Sequence, residues 1–185
     1  MLQTAEKKRL RLSKGARKAR GPITIVDTPC HVRVATKEDL LDILVLARII
    51  HNENGLFDFN EAKVAEALWP ALLQSNGIIG VIGERGSLEG IVVLSVSSYW
   101  YSDKYFLEEK CVFVHPDYRH AKESRVQKLI EFAKKCSTDL DMPLMIGILS
   151  NSRTSAKVSL YERHFGPPAG AFFLWGAKTG QEEAM

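Results

Sequence analysis

The stretch from Val112 to Lys134, VFVHPDYRHAKESRVQKLIEFAK, constrains this chain more than any other. It reads as an apolar strand, a Pro-led turn, a polar loop and then an amphipathic helix beginning near Ser124. Val126, Leu129, Ile130, Ala133 and Cys136 form one stripe of that helix. The order aims the N–H groups of the loop and the helix start at one point, where an anion can bind. Arg119, Lys122, Arg125 and Lys128 keep this region cationic. Cations oppose the dipole at a helix N-terminus, and a bound phosphate would remove that conflict. The plain alternative is a solvated basic helix start.

The remaining sequence supplies the elements such a motif needs. His31 to Ala35 alternates as a short strand, and Thr36-Lys37-Glu38-Asp39 resembles a capping box. Leu40, Ile43, Leu44, Ala47 and Ile50 follow at helical spacing until Asn54-Gly55 stops them. Asn60 caps a second helix, which Pro70 is expected to kink or break. Ile78–Ile82 and Gly90–Val96 flank the turn Glu84–Ser87 as a hairpin. Leu107 to His115 is a long strand, and Leu144 to Leu149 a further one. A fourth helix runs from about Arg153 to His164, and Ala171 to Trp175 is expected as a last strand. The aromatic patch Tyr99-Trp100-Tyr101 sits in a connection.

Charge divides the chain. Residues 1–21 hold eight basic residues against Glu6 alone, while the whole chain is only +3. We expect a basic arm over 1–21 and a single domain over 22–185. The arm can bind nucleic acid, anionic lipid or an acidic partner, or it can be a solvated tail. A mitochondrial transit peptide is disfavoured, since Ser13 is the arm's one serine. No apolar run approaches the roughly 20 residues of a membrane span. No secretory signal pattern is present. Cys30, Cys111 and Cys136 are odd in number and widely spaced, so buried thiols in a reducing, cytoplasmic compartment are expected. There is no Gly-x-Ser-x-Gly elbow, no Gly-Lys-Ser/Thr phosphate loop and no His-Glu-x-x-His helix, and five scattered histidines give no metal pattern.

The strand–loop–helix stretch resembles the acyl-CoA-binding core of the GNAT (Gcn5-related) N-acetyltransferases. Their signature is Arg/Gln-x-x-Gly-x-Gly/Ala, and here the frame reads Arg119-His120-Ala121-Lys122-Glu123-Ser124. Both glycine positions are filled, by Lys122 and Ser124. Leu160-Tyr161-Glu162-Arg163-His164-Phe165-Gly166 resembles the family's Leu-Tyr-x-x-x-Gly-Phe segment with the last two residues exchanged. The resemblance covers roughly residues 32 to 175. It implies an α/β (α+β) fold: a mixed, mostly antiparallel central sheet splayed between strands 4 and 5, flanked by four helices. The RHAKESR loop and the LYERHFG helix look most like bacteriophage-encoded members, which would place the protein in an infected host's cytoplasm.

The resemblance also implies chemistry: acetyl transfer from acetyl-CoA, with no metal, to a primary amine by direct attack. The acceptor can be a small amine, a protein lysine or a protein N-terminus. Val112, Phe113 and Val114 match the strand that pairs with the pantetheine arm. Arg119, His120, Ala121, Lys122, Glu123, Ser124 and Arg125 match the pyrophosphate loop, and Asn151 matches a cofactor-contacting asparagine. Lys122 can swing out to pair with phosphate, or Lys122 and Ser124 can obstruct the cradle. Tyr161 matches the general acid that meets the CoA sulfur; its other reading is a packing residue. A carboxylate on the fourth strand often takes the amine's proton. Glu108 and Glu109 point to opposite faces, and Glu109 is preferred; His115 is a further candidate. The alternative function is a catalytically inactive module of the same fold, contacting nucleic acid or protein through the arm and the aromatic patch. Oligomeric state is left open.

Overall fold

The computed structural model describes residues 30–150 and 152–176. The expected arm at 1–21 and Asn151 lie outside the described residues. The chain runs β1 (Arg33–Val34), α1 (Leu40–Asn54), α2 (Glu61–Leu72), β2 (Gly77–Glu84), β3 (Ser87–Ser98), β4 (Tyr105–Val114), α3 (Arg125–Asp139), β5 (Leu144–Met145) and α4 (Thr154–Phe165). The strands lie in sequence order, antiparallel from β1 to β4, and β5 joins β4 in parallel.

Local chemistry sets the boundaries. Asp39 accepts from the Thr36 N–H at 2.9 Å, closing one half of the expected capping box before α1. Asn60 caps α2 by accepting from the Lys63 N–H at 3.1 Å. Pro70 does not break α2, which runs two residues further, to Leu72. The carbonyl that a helical N–H at position 70 would have satisfied belongs to Glu66, on the exposed face, where water can reach it. Arg85-Gly86 makes the hairpin turn, with Gly86 at φ +82°.

Two cores form, one on each face of the sheet. On one side α1 and α2 bury Ile43, Leu46, Leu68 and Leu72 against the strands. On the other side α3 buries Leu129, Ala133 and Cys136. Complete burial of one such aliphatic side chain is worth about 1.5–3 kcal/mol. The expected α3 stripe is the buried one, except that Val126 is half-buried. Helix α3 packs close over β2 because Gly80 has no side chain; a Cβ there would lie 2.7 Å from the Phe132 ring. Asp39 is fully buried and accepts from Arg33 Nη1 and Nη2 at 2.9 and 2.8 Å, with Arg85 Nε at 3.4 Å. It ties β1, the start of α1 and the hairpin turn together.

Two strand expectations need correction. The strand expected over Leu144–Leu149 is a ladder of two residues, Leu144 and Met145, opposite Leu107 and Glu108. Beyond them the chain leaves β4. Ala171 to Trp175 form no strand among the described residues; Phe173 and Trp175 are 95% and 99% exposed.

Strand β4 also carries a bulge. Val93 pairs with Cys111 but Leu94 pairs with Glu109, so Lys110 is an extra residue on β4. The face sequence changes across it. Leu107 packs in the α3-side core, whereas Cys111 packs against the α1/α2-side core and Phe113 lies within it. Strict alternation would put all three on one face.

Candidate active site

Where β5 leaves β4, a cavity of about 660 Å³ opens between them. Val112, Phe113 and Val114 line one wall and Gly147 to Ser150 the other. Helix α4 contributes Ala156, Lys157, Leu160 and Tyr161, whose spacing puts them on one helical face. From Glu109 onward, the edge of β4 facing β5 has no ladder partner among the described residues. A free strand edge beside a cavity can pair with an extended ligand carrying amides.

One end of the cavity holds two groups with perturbed acidity. Glu109 is buried, and its pKa is pushed up to about 8, first by loss of solvent and then by the Glu108 charge. Tyr161 is also raised, by burial first and by Glu109 and Cys111 next. Its phenol therefore stays protonated across the neutral range. Glu108 instead pairs with Lys110 at 2.6 Å. The structure thus brings Glu109 and Tyr161 to one cavity and turns Glu108 to a surface pair.

The other end is polar. Arg119, His120, Ser124 and Arg125 line it at the start of α3. Ser124 is the N-cap, accepting from the Gln127 N–H at 3.4 Å. Arg119 donates to the Val114 carbonyl at 3.0 Å and to Glu53 at 2.7 Å, with its guanidinium 5.1 Å from the Phe113 ring centroid. Arg125 is 5% exposed and donates to Glu89 at 2.9 Å and to the Glu123 carbonyl at 2.9 Å. Its charge is met inside the protein, so Arg125 is not an unpaired cation at this helix start. Lys122 and Glu123 are exposed and Ala121 is half-buried, and all three are outside the lining. His115 ends β4 as a cap, accepting from the Asp117 N–H at 3.3 Å, and is also outside the lining.

Sequence reasoning missed the third side of the cavity, where the last turn of α1 spans both lips. Glu53 holds Arg119 on the β4 side. Asn54 accepts from Lys157 Nζ at 2.5 Å on the α4 side. Lys157 also donates to Ser150 Oγ at 2.6 Å and to the Ser152 carbonyl at 2.9 Å. Burial lowers the Lys157 pKa. Its position four residues before Tyr161 was the available signal, since that spacing shares a helix face. Arg153, left-handed at φ +54°, opens α4 and lines the same cavity. Among the described residues no group of three or more His, Cys, Asp or Glu can hold a metal ion. No helix among them is long and apolar enough to cross a membrane.

No protein-family model matches the sequence, and no curated protein matches it. Solved structures do match. A possible acetyltransferase from Clostridium difficile 630 aligns at TM-score 0.61 and 16% identity, over 79% of this chain and 96% of that one. A GCN5-related N-acetyltransferase from Ralstonia eutropha JMP134 aligns at TM-score 0.61 and 14% identity, over 79% and 97%. A ribosomal-protein-alanine N-acetyltransferase from Brucella melitensis biovar Abortus 2308 aligns at TM-score 0.59 and 13% identity, over 79% and 97%. These likenesses and the mixed five-stranded sheet with its parting fourth and fifth strands lead to one conclusion: the chain has the fold of the GNAT acetyltransferases.

Proposed function

We propose that the protein is an N-acetyltransferase that moves the acetyl group of acetyl-CoA to a primary amine by direct attack. The observation that carries this reading is the open cavity with Glu109 and Tyr161 at one end and the α3 start at the other. The free edge of Val112 to Val114 pairs with the amides of the pantetheine arm. Arg119, His120 and Ser124 face the pyrophosphate, together with the first N–H groups of α3. Arg125 acts from behind, by fixing the loop through Glu89.

The chemistry follows from the two buried groups. Glu109, in its carboxylate form, accepts a proton from the acceptor's ammonium and frees the amine. The amine nitrogen forms a bond to the thioester carbonyl carbon, and the carbon–sulfur bond breaks. The Tyr161 hydroxyl donates to the departing sulfur and is reprotonated by the extra proton of the acetylated nitrogen, so CoA leaves as the thiol and a neutral amide remains. Free edge N–H groups of β4 are the donors for the developing oxyanion. An inactive module of this fold would have its groove filled by its own side chains. Here Lys122 is outside the lining and Arg125 is turned to Glu89, so the open cavity favours the enzyme. The likeness to bacteriophage-encoded members rests on the sequence alone and carries no part of this reading.

The test is calorimetric titration of acetyl-CoA, followed by thiol release with a panel of amines. Wild type is expected to bind acetyl-CoA and to release thiol with at least one amine. Tyr161→Phe is expected to bind as wild type does and to lose about 10²-fold or more in turnover. A folded wild type that does not bind acetyl-CoA would overturn the proposal.

A further inference from the structure

The α4 side of the cavity carries a cation that the chemistry above leaves unused. Lys157 lines the cavity, and its Nζ donates to Asn54 Oδ1 at 2.5 Å, to Ser150 Oγ at 2.6 Å and to the Ser152 carbonyl at 2.9 Å. All three acceptors are neutral. A cation drawn out of water costs free energy unless an anion meets it. Burial accordingly lowers the Lys157 pKa; Glu53 opposes that shift, while Arg119 and Arg153 add to it.

The topology gathers these charges. Strands β4 and β5 are parallel, so the helices that follow them, α3 and α4, both begin at the carboxyl ends of the two parting strands. Arg119 belongs to one lip, Arg153 and Lys157 to the other, and all three line the cavity. Arg125 lines it too, but its charge is met by Glu89. The acidic side chains of the lining are Glu53 and Glu109. Glu109 lies at the opposite end, beside Tyr161, and Glu53 is held by Arg119. At the polar end three cations therefore share one carboxylate. A single carboxylate ligand would leave part of that excess unmet. A diphosphate diester matches it, and its several oxygens can accept from both lips at once.

We propose that the diphosphate of the cofactor is gripped from both lips, with Lys157 and Arg153 of α4 set against Arg119 on the β4 side. This inference rests on the acetyl-CoA reading above and adds the charges that reading lacks. The loop before α3 spends Arg125 on Glu89 and keeps Lys122 outside the lining, so α4 supplies the cations that the loop does not. Lys157 exchanges a neutral acceptor for a phosphate oxygen when the ligand arrives. It thereby holds the unreactive part of the cofactor, about one helical turn before Tyr161.

Calorimetric titration of the full chain with inorganic pyrophosphate and with acetyl-CoA, each at several salt concentrations, tests this. Wild type is expected to bind both, more weakly as salt rises. Lys157→Met keeps the apolar stem and removes the charge; it is expected to weaken both ligands about 10-fold or more and to make the salt dependence shallower. Lys157→Arg is expected to retain most of the affinity. Arg153 is exposed, so Arg153→Gln leaves the core intact and is expected to weaken both ligands in the same direction. If wild type binds acetyl-CoA and either Lys157→Met or Arg153→Gln binds it equally well, this inference is overturned and the acetyltransferase reading stands. Weaker binding by Lys157→Met with the salt dependence of wild type also overturns it, because Lys157 would then only support the fold. Pyrophosphate binding that needs Lys157, in a protein that ignores acetyl-CoA, keeps the two-lipped anion site and overturns the acetyltransferase reading. A folded wild type that binds neither ligand overturns both.

Discussion

In the proposed reaction, one buried side chain, Glu109, links reactivity to stability. A catalytic base works best when its pKa is near the working pH, and burial has pushed Glu109 up to about 8. Turnover is expected to rise with pH through about 8, and Glu109→Gln should flatten that rise while lowering turnover about 10²-fold. Because the folded chain holds this proton more tightly than the unfolded chain does, stability is complete below about 4.5, the ordinary value. It is then lost progressively as pH rises to about 8. At roughly 1.4 kcal/mol per pKa unit the loss is a few kcal/mol. Urea unfolding across this window should show the slope in wild type and its absence in Glu109→Gln. Tyr161 does not share this cost between pH 4.5 and 8, because its ordinary value of 10.0 keeps the phenol neutral there in the folded and the unfolded chain alike. Tyr161→Phe should therefore leave the unfolding midpoint nearly unchanged.

Among the elements, the start of α3 depends on a partner from β3. Arg125 and Glu89 are both buried and their pair is 2.9 Å long. Removing one member strands a buried charge, so Glu89→Ala should cost about 3–5 kcal/mol. It should also weaken acetyl-CoA binding, since Arg125 holds the Glu123 carbonyl and with it the loop. The β4–loop–α3 half of the site was legible in the sequence because its strand, turn, cap and stripe are consecutive. What Arg125 does there was not legible: its basic charge suggested phosphate, and its partner is 36 residues away. The α1–α4 lip was hidden for the same reason, because Asn54 and Lys157 meet across 103 residues. The aromatic run after Pro167-Pro168 has the β-propensity of a strand, but propensity cannot supply a neighbouring strand to pair with.

For the whole molecule, two opposing titrations set the pH range of stability. Asp39 is held well below its ordinary value of 3.8, chiefly by the Arg33 hydrogen bonds, with help from the Thr36 N–H and from Arg85. Its contribution is therefore present above about 3.8 and is lost as pH falls through its lower folded value. Together with Glu109, this predicts a stability maximum near pH 4–5 as far as these two groups decide it. Asp39→Ala should remove the Asp39 part of the acid limb and cost about 2–3 kcal/mol at neutral pH. The extra residue at Lys110 has a different kind of consequence, one that concerns the coding frame of the fold more than its energetics. Substituting this exposed side chain changes little beyond its pair with Glu108. Deleting it would restore an unbroken two-residue alternation and leave the strand's core side chains on the faces they occupy now. Leu107 would still face α3, Cys111 and Phe113 would still face α1 and α2, and Val112 and Val114 would still face α3. The position is therefore permissive to replacement and to loss alike, whereas deleting a neighbour while the bulge is kept would turn one end of the strand over.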